Sequence, residues 1–173
     1  RGFYEVLFRT NSAPMLLIDP QADGRILDAN EAATRFYGYP RDVFAGKHTW
    51  EINEAGRSIL PVMQAVASLP GGHRPLNFVH RLADGSLRNV QTYAGPVVLD
   101  GRRLMLCVVH DITEQEQLKR ELEQAALRDP LTGLWNRRHM MVQLEQALLG
   151  KRAQDIAFCL ILLDVDHFKL VND

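Results

Sequence analysis

The amino-acid sequence predicts an α+β chain: an antiparallel sheet of five strands with flanking helices, then a polar connecting helix, then the front of an α/β unit. Three observations carry this prediction. Apolar and polar residues alternate from Leu76 to Val109, and Asp-Gly pairs at 84–85 and 100–101 divide the alternation into three runs, the pattern of an antiparallel meander. Short helical patterns lie ahead of it, between Glu31 and Leu69. After Ile112 the composition turns abruptly polar, and an uninterrupted apolar run of eight residues, Ile156–Leu163, follows late in the chain, as expected for a strand covered on both faces of a mainly parallel sheet.

Taken in order, residues 3–8 place apolar groups at i, i+3 and i+4 and predict a short amphipathic helix. Met15–Ile18 and Ile26–Leu27 are strand-length apolar runs, and Asp19-Pro20-Gln21-Ala22-Asp23-Gly24 between them has the residues of a tight connection. Asn30 is placed to cap a helix over Glu31–Tyr37, because its side chain can accept from a free first-turn N–H. Gly38-Tyr39-Pro40 stops that helix. Residues 41–72 read as helix fragments and turns. The clearest spans Ile59–Leu69, with Pro61 suited to its first turn. The meander strands are Leu76–Arg81, Leu87–Ala94 and Arg103–Val109.

Thr113 and Glu116 form an S/T-x-x-E capping box, opening a helix over residues 114–128. Its apolar seam is narrow, Leu118, Leu122 and Ala125, spaced four then three. That spacing suits a short coiled-coil dimer, and equally an exposed connector helix. Residues 129–134 form a turn, and Asn136 caps a helix with Met140, Met141, Leu144, Ala147 and Leu148 on its apolar face and Gly150 at its end. Domain boundaries are therefore expected at 1–113, 114–128 and 129–173.

Composition narrows the function classes. The 173 residues are 46% hydrophobic and 24% charged, with 20 basic side chains against 21 acidic, so no basic excess points to nucleic acid. No apolar stretch reaches the roughly 20 residues of a membrane helix. Cys107 and Cys159 both sit in apolar runs, the setting of buried, reduced thiols in a cytoplasmic protein. The chain opens at Arg1 without a signal pattern, so it reads as a piece of a longer protein. GxSxG, HExxH and paired CxxC motifs are absent. Gly46-Lys47 lacks the rest of a phosphate loop, with Arg41 at the first glycine position and His48 at that of Ser/Thr.

The most informative chemistry lies at Asp164–Asn172. Carboxylates at the carboxyl end of a buried strand, followed by a helix N-terminus, are where open α/β sheets bind ligands. The free N–H groups attract phosphate, and the carboxylates can hold a Mg²⁺ that bridges it. Alternatively, Asp164 and Asp166 end a strand and cap a helix. Asp129-Pro130-Leu131-Thr132-Gly133-Leu134-Trp135-Asn136-Arg137-Arg138 and then Asp164-Val165-Asp166-His167-Phe168-Lys169-Leu170-Val171-Asn172-Asp173 together resemble the start of GGDEF domains. Those are bacterial diguanylate cyclases, which join two GTP molecules into cyclic di-GMP.

The resemblance implies Mg²⁺ and GTP in the intact parent. It implies Asp164 and the Val165 carbonyl as metal ligands, His167 and Phe168 N–H groups and the Lys169 side chain on phosphates, and Asn172 on the guanine edge. The Gly-Gly-Asp/Glu-Glu-Phe signature would follow Asp173, so no complete catalytic set lies in residues 129–173, and this polypeptide is expected to be inactive on its own.

Residues 2–113 resemble a PAS sensor. The resemblance rests on Asn11-Ser12-Ala13-Pro14, Gly24-Arg25-Ile26-Leu27-Asp28-Ala29-Asn30, Gly38-Tyr39, Gly46-Lys47 and the exit Asp111-Ile112-Thr113, which is similar to the element that leads a PAS sheet into its output helix. PAS domains often enclose a small cofactor. A haem-binding one would carry a histidine on the helix spanning about 57–68, where none occurs, and a photoactive flavin adduct needs a cysteine on a helix, whereas Cys107 lies in a strand run. Trp50 would stack on a flavin or fill the core. The PAS ligand is thus unknown, with a small apolar molecule or none both open.

The resulting expectation is a bacterial sensor module that controls a diguanylate cyclase in the parent protein, as a homodimer through the PAS domain and the linker helix. In it Asp111, Thr113, Leu118, Leu122 and Ala125 would transmit the signal. The alternative is a non-catalytic PAS dimerisation or ligand-binding module ahead of a degenerate, GTP-binding GGDEF domain, with regulation of a cyclic di-GMP phosphodiesterase as one role open to it.

Overall fold

The structure, a computed structural model, describes residues 2–69, 75–154, 159–164 and 166–167. The chain divides into two compact units, Arg1–Lys119 and Arg120–Asp173.

The first unit opens with helix α1 (Gly2–Thr10), which buries Phe8. Strands β1 (Met15–Asp19) and β2 (Arg25–Ala29) pair antiparallel, with a one-residue irregularity where Leu17 faces Asp28 and Ile18 faces Ile26. Their connection needs a glycine. Gly24 has φ +70°, and a Cβ there would come within 2.6 Å of Thr49 Oγ1 and 2.9 Å of the Met63 methyl, closer than nonbonded atoms tolerate.

Helix α2 (Glu31–Tyr37) runs between the two signals read from the sequence. Asn30 Oδ1 accepts the Ala33 N–H at 2.9 Å, and Gly38, at φ 76°, closes the last turn with its N–H on the Thr34 carbonyl. Asn30 is also completely buried. Its Oδ1 accepts the Met15 N–H at 2.9 Å, and its Nδ2 donates to the Ala13 carbonyl at 2.8 Å. One side chain therefore starts α2 and anchors the entry to β1.

Helices α3 (Arg41–Phe44) and α4 (Leu60–Ser68, with Pro61 in its first turn) and two 3-10 turns, Thr49–Glu51 and Gly56–Ile59, fill the middle of the unit. Strands β3 (Leu76–Arg81), β4 (Leu87–Leu99) and β5 (Arg102–Asp111) complete a five-stranded sheet of order β2-β1-β5-β4-β3, every pair antiparallel. β4 runs past Ala94, where the alternation predicts its end. Pro96 lies in the half of β4 that pairs with β5 alone, since β3 stops opposite Thr92, and a missing donor is tolerated at such an edge.

Core residues from the sheet, among them Leu16, Ile18, Ile26, Val90, Met105, Cys107 and Val109, meet Ala33, Tyr37, Phe44, Ile52, Met63 and Val66 from the helical side. Cys107 is buried in this core, as its strand run predicts. Both outer strands are covered. Ile26 N–H bonds the Lys47 carbonyl at 2.7 Å beside β2, while Glu54 N–H bonds the Val79 carbonyl and Arg81 N–H the Ile52 carbonyl beside β3, which occupies these edges against pairing with other chains.

Helix α5 (Thr113–Leu127) leaves the sheet directly. The predicted Thr113–Glu116 capping box does not form. The Glu116 N–H closes an ordinary turn on the Ile112 carbonyl, and the Thr113 hydroxyl is committed to Asp111 and Asn89 instead. Those partners come from the end of β5 and from β4, which a local motif does not register.

In the second unit, helix α6 (Arg137–Gln154) follows Asn136, whose Oδ1 accepts the His139 N–H at 2.9 Å. The helix continues past Gly150, because a single glycine weakens a helix without stopping it. The predicted strand over 156–163 is not present in the residues described there. Residues 159–164 form no regular element, Leu162 is 91% exposed, and Cys159, expected to be buried, is exposed. A strand is a pairing, and no other strand exists among the described residues of this unit to supply the partner's N–H and C=O groups.

Candidate functional site

A cavity of ≈ 70 Å³ lies between the sheet and the segment 49–66, lined by apolar groups including Ile18, Met63, Phe78, Met105 and Cys107. A space of that size takes a few non-hydrogen atoms. Burial pushes the Cys107 thiol up to about 12, so the sulfur is a packing group without nucleophilic character. Four polar side chains, Thr49, Asn53, His80 and Thr92, share the wall. Thr49 Oγ1 points at Met63 Sδ at 3.8 Å, and Thr92 Oγ1 donates to the Leu76 carbonyl at 3.3 Å.

His80 and Asn53 belong to a buried chain of hydrogen bonds. Tyr37 Oη lies 2.8 Å from His80 Nδ1, and Asn53 Nδ2 lies 3.4 Å from His80 Nε2. The imidazole also stacks on Phe78, with ring centroids 6.1 Å apart and planes 17° apart. Burial holds the His80 pKa down to about 4, and burial, helped by Cys107 and Asp111, raises the Tyr37 hydroxyl well above its ordinary value. Both side chains are therefore neutral at physiological pH.

Sequence reading missed this trio, whose members are distant in the chain. One signal was available: strand parity puts His80 on the same face as Leu76 and Phe78. Trp50 neither fills the core nor lines the cavity. It is partly buried between the His48 ring, 5.3 Å away, and the Arg57 guanidinium, 4.9 Å away.

The exit from the sheet is tightly bonded. Asp111 Oδ1 accepts both the Thr113 N–H at 2.9 Å and its hydroxyl at 2.6 Å. Thr113 Oγ1 accepts the Asn89 N–H at 2.9 Å, and the Asn89 carbonyl accepts the Ile112 N–H at 2.9 Å. Asp111 and Thr113 are thus brought together. Leu118, Leu122 and Ala125 lie on α5, a helix with no buried residue, and Leu122 is 71% exposed.

In the second unit, the turn 129–136 organises itself. Asp129 Oδ1 accepts from Thr132 N and Oγ1 at 2.8 Å each and from Leu131 N at 3.2 Å, and these bonds, the Thr132 N–H first, lower the pKa of the carboxyl. Arg128 covers the Trp135 ring at 4.4 Å and donates to the Gly133 carbonyl at 2.6 Å. Asn136 Nδ2 bonds the Ala126 carbonyl at 2.7 Å, fastening the turn to the end of α5.

Asp164 and His167 are exposed outside regular structure, and His167 has φ 56°. Val165, Phe168, Lys169 and Asn172 lie outside the described residues. The carboxylate of Asp164 suits a hard cation such as Mg²⁺, but no group of three His, Cys, Asp or Glu side chains that could hold a metal is assembled among the described residues. No helix among them is long and apolar enough to cross a membrane.

Comparison with known proteins gives two family matches in series: a PAS domain over residues 12–114 and "Diguanylate cyclase, GGDEF domain" over residues 126–173. The chain is 56% identical over all of its 173 residues to diguanylate cyclase DgcM of Escherichia coli (strain K12), and spans 42% of that protein's length. It is 31% identical over 157 residues to an uncharacterized signaling protein of Caulobacter vibrioides, covering 87% of this chain and 18% of that one. Among solved structures, the PAS domain of an HTR-like protein from Haloarcula marismortui superposes with a TM-score of 0.57 at 21% identity, covering 64% of this chain and 90% of that domain. That last likeness is one of fold.

Proposed function

Because the chain belongs to the PAS family, with the opening of a GGDEF domain matched directly after it, we propose that it is the sensory and transmitting part of a diguanylate cyclase. The supporting observation is the 56% identity to DgcM over all 173 residues, a span that includes PAS domain, helix and GGDEF opening. Residues 1–113 sense, 114–128 transmit, and 129–173 begin the domain that converts two GTP into cyclic di-GMP. In the longer parent, Asp164 and the Val165 carbonyl hold Mg²⁺. The His167 and Phe168 N–H groups and Lys169 hold phosphate, and Asn172 holds guanine. The PAS cavity admits a ligand of a few heavy atoms, apolar with at most one or two polar groups, given its lining.

Two copies associate through the PAS domain and the seam Leu118, Leu122, Ala125, which brings two GTP-loaded domains together in the cytoplasm. Exposed leucines spaced as in a coiled coil support this reading. In the longer parent protein, Leu122→Glu should lower both the dimer fraction measured by light scattering and the rate of cyclic di-GMP formation. Unchanged values for both would refute the seam. Asp164→Asn should abolish product formation while the dimer persists, and retained activity would refute the metal assignment.

A further inference from the structure

Asn53 and Phe78 face two spaces at once. On one side they line the cavity. On the other they line an open groove of ≈ 370 Å³ whose walls also include Val79, Asn89, Ile112 and Glu116, the residues around the start of α5. We propose that Asn53 is the relay that carries a change at the cavity wall to the first turn of α5, by coupling the tautomer of His80 to the hydrogen bonds that hold residues 112 and 113. The inference rests on reading α5 as the output helix.

The switching element is chemically defined. Asn53 Oδ1 accepts the Ala55 N–H at 2.9 Å, so the amide turns its NH₂ towards His80 Nε2 at 3.4 Å. An NH₂ group only donates, so Nε2 accepts and the single proton of the neutral ring sits on Nδ1, where it is donated to Tyr37 Oη at 2.8 Å. A second arrangement satisfies the ring equally well. Tyr37 O–H donates to Nδ1, the proton sits on Nε2, and Asn53 rotates its amide to accept there. That rotation turns NH₂ towards the Ala55 N–H, and the bond at Ala55 is lost. The ring is satisfied in both states, whereas the Ala55 bond exists only in the first, so the tautomer of the ring decides whether the 53–55 turn is held.

From Asn53 the path is continuous. The next residue, Glu54, donates its N–H to the Val79 carbonyl at 2.9 Å. Val79 is the register partner of Asn89 across β3 and β4. Asn89 holds both residues that start the helix, accepting from the Ile112 N–H and donating to Thr113 Oγ1. A small molecule that presses on Phe78 or His80 from the cavity thus acts on the same side chain that sets the 53–55 turn. Val79 turns its carbonyl to Glu54, and Asn89 turns its N–H and carbonyl to the helix start, so the step between them is cross-strand packing of a non-hydrogen-bonded pair; every other step is one hydrogen bond or one residue.

The test uses the 173-residue chain and nuclear magnetic resonance of the His80 ring nitrogens and backbone amides. The wild-type ring should carry its proton on Nδ1. In Asn53→Asp, one carboxylate oxygen keeps the Ala55 bond while the other accepts from Nε2, so the two ring-nitrogen resonances should exchange character with the fold retained. The amide resonances of Asn89, Ile112 and Thr113 should move with them. Asn53→Ala removes both bonds, and amide exchange at Ala55 and Ile112 should then run about fivefold faster, the loss of one ordinary hydrogen bond. Gln91→Ala, a change on β4 whose side chain bonds Asn77 and Tyr93 outside the path, should leave residues 112 and 113 unmoved. The relay is overturned by a wild-type ring protonated on Nε2, or by Asp and Ala variants whose effects stop at residues 55 and 80. Because these measurements read the helix start directly, they can fail while cyclase control by α5 stands, or succeed while it falls.

Discussion

At the scale of single residues, His80 makes the folded unit sensitive to acid. Burial lowers its pKa from 6.5 to about 4, so between those values the unfolded chain binds a proton that the folded chain refuses. The stability associated with the neutral ring is fully present above pH 6.5 and is lost progressively as pH falls towards 4, by on the order of 3 kcal/mol. Thermal melts of wild type and His80→Gln should converge in slope above pH 6.5 and diverge below it, the variant losing less.

Gly24 gives a second prediction at this scale. Gly24→Ala must move Thr49 or Met63 and hold an alanine at φ +70°, so urea melts should show a loss of about 1–3 kcal/mol. Gly95→Ala, with nothing within 4 Å and an ordinary φ, should stay within about 0.5 kcal/mol of the parent. The caps at Asn30 and Gly38 are legible from sequence because their partners sit within four residues. The Tyr37–His80–Asn53 chain is not, because nothing local states that positions 37, 53 and 80 converge.

At the scale of elements, the start of α5 is held from behind by the sheet. Asp111→Ala removes the acceptor for two Thr113 donors and should cost about 1 kcal/mol, read as a loss of helical circular dichroism together with faster amide exchange over residues 113–117. Thr113→Val should have a similar effect, since it also frees the Asn89 N–H. Strands β3, β4 and β5 are readable in advance because each faces the next across an Asp-Gly turn with a clear alternation. The run 156–163 has an equally clear composition, yet residues 159–163 stay unpaired, because composition states a preference for burial and cannot supply the neighbouring strands. For the same reason Asp164 is exposed where the motif implies a site at a strand end.

At the scale of the whole molecule, the division into Arg1–Lys119 and Arg120–Asp173 falls within α5, at an exposed Lys-Arg pair on a helix with no buried residue. Brief trypsin treatment should therefore cut first at Lys119 or Arg120. Mass spectrometry should find a persistent fragment ending there, with the sheet's circular dichroism retained. Early cleavage at Arg81 or Arg88, inside the paired strands, would contradict the division.

The boundary helix has one further property. Fifteen residues at 1.5 Å each make a rod of about 22 Å, a length at which a free helix in water is marginal and frays from its ends. Neither end of this one is free. The Asp111–Thr113–Asn89 bonds grip the first turn, and Asn136 reaches back to the Ala126 carbonyl at the last. Each terminal turn is thus held by hydrogen bonds within its own unit, at the places where a free helix of this length frays first.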